Sequence, residues 1–560
     1  MKILIVGINS KYIHSNLAIR YLKAYTKDLA YEGKTMEFSI NDSLDNIVQG
    51  IIMEKPRVVA FSTYIWNEEY VRKVAKTIKL IDDTIEILYG GPEVTYDGES
   101  FLKNNVGEYI IEGEGEETFR EFVQYKLGKK DLKYIKGLYY KTLEENGETF
   151  INYNCKRDIM DMNNLVFPYE KEDDLNNKIV YYEASRGCPF RCKYCLSSVL
   201  SNVRFLDIDR VKKDLKFFID KKVRLVKFVD RTFNCNGKFA MEIWSFLMNI
   251  NTDTAFHFEI SADILKKEEL ELLRKAPKGR FQFEVGVQTT NDKVLKEINR
   301  YVKFKDIKDN IEYIQKGKNI KQHLDLIAGL PGEDLESFKK SFNDVYSIRP
   351  EEIQLGFLKL IKGTSMREEK DRWGMAPTAY APYEVLKTKD VSYENMLLLK
   401  KVEHMVDKYY NSGKFNLTIG YLERKFDTPF EFYESLGRFF ENKGYFKRSI
   451  SNNDYYKFFM EFNSEVLKEN NDILKEILRY EYLSFNKRRG IPEFLHGDMT
   501  KEEEKNIKFM LKDNGRKLLN SDYIDKFNIN IEGIIQGEPI EKQEVYVIFQ
   551  DEKDPEIIYS

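Results

Sequence analysis

Cysteine is scarce, with five residues in 560. So few thiols exclude a disulfide-stapled scaffold, and the first 150 positions hold none at all. An excess of one charge is also lacking: 89 Lys and Arg stand against 92 Asp and Glu, a formal net charge of −3. That balance carries no strong signal for nucleic acid, whose binding proteins depend on counterion release by surplus cations. No window of 18 or more apolar residues occurs, so no membrane span is expected. The opening Met-Lys-Ile-Leu-Ile-Val runs straight into a strand pattern instead of a small-residue cleavage site, and the expectation is a soluble, cytoplasmic protein. What is present is core material, because 42% hydrophobic and 14% aromatic residues exclude a disordered polyelectrolyte. The length suggests about three or four domains.

Short β-rich apolar runs at 2–8, 57–62, 85–89 and 108–111 alternate with helix-period stretches at 16–30, 67–81 and 115–127, which predicts an α/β, doubly wound, Rossmann-like domain over residues 1–130. Ligands of such sheets sit at the carboxyl ends of the strands. Candidate binding residues therefore fall in the loops there: His14, Thr63, Tyr64, Gly90, Gly91, Pro92, Glu93, Gly113, Glu114 and Gly115. Residues 131–178 turn polar and read as a linker with a small hairpin around Gly137–Tyr153. A second alternating series places strands at 179–184, 224–229, 254–260, 281–287, 321–327 and 352–360. Six β/α units over residues 179–368 predict a partial, TIM-like (βα)6 barrel with its functional groups at the carboxyl ends of the strands. From 369 to 560 the pattern is mainly helical, notably at 392–411 and 464–485, with a β-rich tail at 543–550 and no recognisable chemical motif.

Three of the five cysteines crowd into Arg186-Gly-Cys188-Pro-Phe-Arg-Cys192-Lys-Tyr-Cys195, directly after the first barrel strand. A structural zinc site wants four ligands, and neither Cys155 nor Cys235 stands in a zinc-ribbon spacing with them. A [4Fe-4S] cluster turns the shortage into a function, since three cysteines leave one iron open to a substrate or cofactor. Zinc and coincidental thiols are the bland alternatives.

The spacing, with Tyr194 as the aromatic before the last cysteine, resembles the CxxxCxΦC signature of the radical SAM superfamily. The resemblance implies a [4Fe-4S] cluster on Cys188, Cys192 and Cys195. It also implies S-adenosylmethionine chelated at the open iron, and reductive cleavage of that molecule to a 5′-deoxyadenosyl radical. Further segments are similar in order. Phe228-Val-Asp230-Arg-Thr232 matches the methionine side, Phe283-Glu284-Val-Gly286-Val-Gln288 the ribose side, and Asp325-Leu-Ile327-Ala-Gly329 the adenine side. Glu284 also suits a carboxylate that only satisfies an internal cation, and Gly329 suits a strand-to-helix turn.

A doubly wound domain ahead of such a barrel resembles the cobalamin-binding radical SAM group. The segment Ile8–Ala18 and the helical extension resemble a poorly characterised branch of it. The familiar Asp-x-His-x-x-Gly signature of a lower axial histidine is absent, because Tyr12 and Leu17 flank His14 where Asp and Gly would stand. His14 is then either a ligand of cobalt or an ordinary hydrogen-bonding residue.

The reading is a radical SAM enzyme, a cobalamin-dependent methyltransferase on an unknown small-molecule substrate, fed by an external electron donor such as flavodoxin or ferredoxin. The alternatives are a cobalamin-binding cyclase or rearrangement enzyme without net methyl transfer, and a non-catalytic cluster or corrinoid sensor. A methylthiotransferase is disfavoured, because that family carries three cysteines in its amino-terminal domain and residues 1–150 here have none.

Overall fold

The computed structural model describes residues 1–560 except 144–147, 200–201, 487–489, 514, 517, 520–521, 551–552 and 560. The chain divides into two units, one of Met1–Ser341 with Leu355–Tyr393 and one of Phe342–Gln354 with Glu394–Ser560.

The first unit opens with a seven-stranded sheet in the order β2-β1-β3-β4-β5-β6-β7. Its strands are β1 (Lys2–Asn9), β2 (Glu32–Ser39), β3 (Val58–Ser62), β4 (Glu86–Gly90), β5 (Tyr109–Ile111), β6 (Leu138–Leu143) and β7 (Thr149–Tyr153). Strands β1 to β5 run parallel. The continuous apolar runs of β1 and β3 follow from burial on both faces. One face packs Leu4, Val6, Val59 and Phe61 against Ile47, Ile51, Val71 and Val74, and the other packs Ile3, Ile5, Val58 and Ala60 against Ile19, Phe119 and Phe122. The chain order reverses between β1 and β3, which opens a crevice at their carboxyl ends.

Two features depart from the sequence expectation. Strand β2 and the helix Leu44–Met53 were not expected. Strand β2 is an edge strand whose sequence EGKTMEFS carries too little apolar alternation to show itself. The expected hairpin is present, but it is no free linker: β6 pairs antiparallel with β5 and β7 with β6, so the segment closes the edge of the first sheet. The tip of that hairpin, 144–147, lies outside the described residues.

The second sheet has six strands in sequential order: Ile179–Tyr182, Leu225–Phe228, Ala255–Ile260, Phe281–Gln288, Lys321–Ala328 and Glu352–Phe357. Its registers are parallel throughout the first five. Helices Ile208–Asp220, Gly237–Met248, Lys267–Leu273 and Phe304–Gln315 follow the first four strands and cover the outside. That outer layer is aromatic: the Phe258 ring centroid lies 4.5 Å from Phe228 and 4.4 Å from Phe233, with Trp244 alongside.

The second unit contains helices Asn416–Glu423, Pro429–Asn442, Asn452–Phe462, Asp472–Phe485 and Lys501–Asp513. The expected helix over 464–485 is interrupted, since a wide turn at Asn463–Leu467 ends on Lys468 with φ +60° before a new helix begins at Asp472. The tail strand Lys542–Phe549 is the middle of a three-stranded antiparallel sheet with Tyr523–Ile529 and Glu556–Tyr559. No helix among the described residues is long and apolar enough to cross a membrane.

Candidate functional site

Within the first unit the loops of the first sheet face the first barrel strand across a cavity of about 660 Å³. His14, Tyr64, Gly90, Gly91, Pro92, Gly113, Glu114 and Gly115 line one side, and Tyr181, Glu183, Ser185, Arg186, Val229 and Arg231 line the other. Eight of the ten residues singled out in the first-sheet loops thus meet in one place.

The other two have different roles. Glu93 is 2% exposed and turned into a strut, accepting a hydrogen bond from Tyr383 Oη at 2.5 Å and pairing with Lys362 Nζ at 3.2 Å. Thr63 is fully buried, its Oγ1 without a hydrogen-bond partner. Its backbone carbonyl lies where a side chain on Gly91 would project: a Cβ there would come within 2.5 Å of Thr63 O, and Gly91 has φ +108°. Only glycine permits this approach of the two loops.

Small polar side chains fix the loop after β1. Asn9 Nδ2 donates to His14 O at 3.0 Å and to Glu37 Oε2 at 2.9 Å, and Asn16 donates to Asn9 Oδ1 at 3.1 Å and to Ser62 Oγ at 3.2 Å while capping the next helix. The loop then adds to the barrel as a short parallel bridge, with Ile179 N donating to Ile13 O at 2.8 Å. His14 Nδ1 stands 2.7 Å from Tyr181 Oη. Burial, and then the charges of Lys11, Lys227 and Lys178, hold the imidazole below its ordinary value. Tyr64 and Trp66 stack at 4.4 Å with ring planes 7° apart.

At the floor of the cavity sits a residue that the sequence reading passed over. Arg186 reaches Glu183 through Nε at 2.9 Å, Glu116 through Nη2 at 2.5 Å and Glu114 at 3.7 Å, and Arg204 also pairs with Glu114. Its position two residues before the first cysteine of the cluster motif was the available signal. Glu183 stands three residues before it, but Glu114 and Glu116 come from a helix start about 70 residues away, which sequence spacing does not reveal.

The cysteine loop begins at this floor. Asp230, 1% exposed, accepts from Ala184 N at 3.0 Å and from Ser185 Oγ at 2.5 Å, tying the end of the second barrel strand to the start of the loop. Burial raises its carboxyl to about 7. Both carboxylate oxygens are engaged by protein donors, so the residue holds the loop. Thr232 Oγ1 lies 3.4 Å from Cys188 Sγ, and Arg300 Nη1 lies 3.8 Å from Cys192 Sγ. Cys188 and Cys192 are buried, Cys195 is half-buried, and all are free thiols. Burial raises the Cys192 thiol, with the nearby Arg300 charge opposing it. Lys193 anchors the loop to Glu297 at 3.3 Å and Glu369 at 3.0 Å. Among the described residues no three His, Cys, Asp or Glu side chains converge as the ligands of a single metal ion do. Cysteines that each bind a different iron of a cubane are spaced more widely than that.

The remaining expected positions stand on the fourth and fifth barrel strands. Glu284 pairs with Lys227 Nζ at 3.1 Å and His257 Nε2 at 3.3 Å. Burial opposes its charge, but these two partners prevail and lower it to about 2. Gln288 has φ +70° at a register shift that ends the fourth strand. Ile327 is half-buried near the end of the fifth strand, and Gly329, with φ +86°, turns the chain out of it.

Comparison with known proteins follows this division. Residues 3–123 match the B12 binding domain family, 182–345 the radical SAM superfamily and 371–549 a protein family of unknown function, DUF4080. An uncharacterised methyltransferase of Pyrococcus horikoshii, PH0819, is 26% identical over 47% of this chain and 58% of its own length. The cobalamin-dependent radical SAM methyltransferase TokK of Streptomyces tokunonensis is 24% identical over 60% of this chain and 52% of its own. The chain thus spans little more than half the length of these relatives. In fold it is similar to the cobalamin-dependent S-adenosylmethionine radical enzyme OxsB, with TM-score 0.59 at 15% identity over 92% of this chain and 75% of that one. It is also similar to the radical S-adenosylmethionine methyltransferase TsrM of Kitasatospora setae, with TM-score 0.55 at 15% identity over 68% and 76%. In chain order the matched segments are thus a B12 binding domain, a radical SAM domain and a DUF4080 region.

Proposed function

We propose that this protein is a cobalamin-dependent radical SAM methyltransferase acting on a small molecule. The observation that carries the reading is the single cavity walled on one side by loops of the B12 binding domain and on the other by the start of the cysteine loop. A methyl carrier and a radical source have to meet at one substrate, and this arrangement brings their binding elements together.

The residues fit these groups. Three free thiols in one loop, buried or half-buried, suit a cluster held at three corners. The side-chain-free surface at Gly90, Gly91, Gly113 and Gly115 suits a large planar ligand lying close to backbone. Cys188, Cys192 and Cys195 would hold the cluster, with Tyr194, Thr232, Glu284, Gln288, Ile327 and Gly329 around S-adenosylmethionine. His14, Tyr64 and the glycine loops would face the corrinoid. When bound, these groups supply an electron, a hydrogen-abstracting radical and a transferable methyl group.

The chain's own residues orient and shield. Asp230 pins the cysteine loop through Ala184 and Ser185, Arg300 presents a positive charge to the Cys192 sulfur, and Tyr181 fixes the orientation of His14. A short parallel bridge between His14 and Ile179 joins the first sheet to the first barrel strand beside the cavity. Electrons come from an external one-electron donor of the flavodoxin or ferredoxin kind.

The test is anaerobic reconstitution with S-adenosylmethionine labelled in its methyl group. The expected result is cluster absorbance near 400 nm, bound corrinoid and label in product, with cleavage and absorbance lost in Cys188→Ala, Cys192→Ala and Cys195→Ala. Cleavage retained in those variants overturns the radical SAM reading. Unlabelled product moves the assignment to rearrangement or cyclisation without methyl transfer.

A further inference from the structure

The interior of the barrel is built unlike an ordinary packed core. Along the third strand Phe256, Phe258 and Ile260 are buried toward the helices, which leaves His257 and Glu259 on the inner face. The fourth strand turns Glu284 inward and the fifth turns His323 and Asp325 inward, while Phe283, Val285, Leu324 and Leu326 pack outside. A closed eight-stranded (βα)8 barrel fills its interior with layers of branched apolar side chains, which this open six-stranded sheet does not do. Here the register aligns Lys227 with His257, Glu259 with Glu284, and Glu284 with His323, so charged groups face one another in consecutive layers.

Their hydrogen bonding does not close. Glu284 is satisfied by Lys227 and His257. Asp325 Oδ1 is buried without a hydrogen bond, although His323 Nε2 stands 3.3 Å away. His257 is 8% exposed and its Nδ1 is buried with no partner. Glu259 is half-buried on the same face and feels the charges of Arg231, Glu284 and Lys227. Buried polar groups in folded proteins almost always find partners, so the two orphaned atoms, His257 Nδ1 on the third strand and Asp325 Oδ1 on the fifth, with the half-buried Glu259 carboxylate on the same inner face, call for a group that supplies them. Its charge is set by the inventory: three carboxylates share the lumen with one lysine, Arg231 is exposed and lines the neighbouring cavity, and the half-buried Arg300 is engaged by Gly286 O and the Cys192 sulfur. Burial raises the proton affinity of both Glu259 and Asp325, the charge of Glu284 raises both further, and Glu259 also acts on Asp325, the state of carboxyls that await a counter-charge.

We propose that the barrel lumen is a substrate-recognition site for a cationic nitrogen group, an ammonium or amidinium held between Glu259 and Asp325. An ammonium brings three N–H donors and a positive charge, which are what the open acceptors and the carboxylate excess lack. A carboxylate or phosphate would meet repulsion, and a neutral alcohol would satisfy at most one acceptor. The inference rests on the reading above in one respect only, that the substrate of this enzyme enters the barrel.

The probes are n-butylammonium, n-butanol and butyrate, titrated calorimetrically into the anaerobically reconstituted full-length protein at pH 7. The expected result is butylammonium binding at least tenfold tighter than butanol, with no butyrate binding. Glu259→Gln should reduce that preference at least fivefold and Glu259→Asp should retain most of it, with Asp325→Asn as a second, independently folding check. Equal binding of the three probes, no binding of any, or an undiminished preference in both Glu259→Gln and Asp325→Asn overturns the proposal. Cleavage of S-adenosylmethionine by the same wild-type preparation separates the two readings. Cleavage without ammonium preference defeats the lumen site alone, whereas ammonium preference without cleavage supports the lumen site and defeats the radical reading.

Discussion

Replacing Arg186 by methionine removes the one cation shared by Glu183, Glu116 and Glu114 and keeps most of the side-chain volume. The distances are 2.9, 2.5 and 3.7 Å, and the side chains of Arg186, Glu116 and Glu183 are only 13, 6 and 15% exposed. Removing one partner of a buried ion pair leaves uncompensated charge and costs about 3–5 kcal/mol. The upper part of that range applies, because two carboxylates lose their principal partner at once. The pH dependence follows from Glu116. Burial works against its ionisation, but the charge and hydrogen bond of Arg186 prevail and hold it below its ordinary 4.5. A carboxyl lowered in the folded state contributes stability that is present above 4.5 and lost as pH falls through the folded value. The gap between wild type and Arg186→Met should therefore be widest at pH 8 and narrow as pH falls, Glu183, which burial already holds above its ordinary value, giving way first and Glu116 below pH 4.5. Hydrogen exchange of segments 109–126 and 179–206, followed against pH, reads the local opening free energy directly. A gap under 1 kcal/mol at pH 8, or one that does not change with pH, would refute the reasoning. So would failure of Glu116→Gln to recover part of the loss in the Arg186→Met background.

Three further outcomes are expected. Gly91→Ala places a Cβ 2.5 Å from Thr63 O at φ +108° and should destabilise the first sheet by about 2 kcal/mol or more; a melting temperature within a degree of wild type, with unaltered hydroxocobalamin affinity, would contradict it. Asp230→Ala frees Ala184 N and Ser185 Oγ from their buried acceptor, which should cost about 1–3 kcal/mol and lower the iron retained per chain after reconstitution. Undiminished iron would show that the loop is held by other means. Tyr181→Phe removes the hydroxyl that meets His14 Nδ1 at 2.7 Å, so hydroxocobalamin titrations monitored in the visible should show weaker binding than wild type. His14→Ala should weaken it more, and identical spectra in all three proteins would separate His14 from the corrinoid.

The parts legible in the sequence were those that local periodicity encodes. Strands β1, β3, β4 and β5 and all six barrel strands fall where short apolar runs end in polar loops, because a buried parallel strand leaves no alternative composition. The cysteine loop was legible for a different reason: its spacing is itself the chemistry. Strand β2 was not legible because an edge strand is half solvated and its charges mask the alternation. The loop residues were found as a set, yet Glu93 and Thr63 could not be told from their neighbours. The partners of Glu93, Lys362 and Tyr383, lie some 270 and 290 positions further along. Arg186 was missed for the same cause, since three carboxylates from two segments define it.

The barrel shows how a scaffold can afford a polar interior. Its stability rests on the outer layer, where Phe228, Phe233, Trp244, Phe258, Phe281 and Phe283 form a continuous aromatic network under the helices. Each such ring buries enough apolar area to contribute about 2–3 kcal/mol. With the core moved outside the strands, the inner face no longer has to pack, and the alternation that defines a strand hands every second position to the lumen. The same division explains why the lumen charges escape a reading based on hydrophobic pattern. Glu259 and Asp325 sit between residues that already satisfy the strand signal, so periodicity alone reads them as solvated positions although they face inward. Substitutions on the outer layer should therefore act on folding, and substitutions on Glu259 or Asp325 on which molecules the barrel accepts.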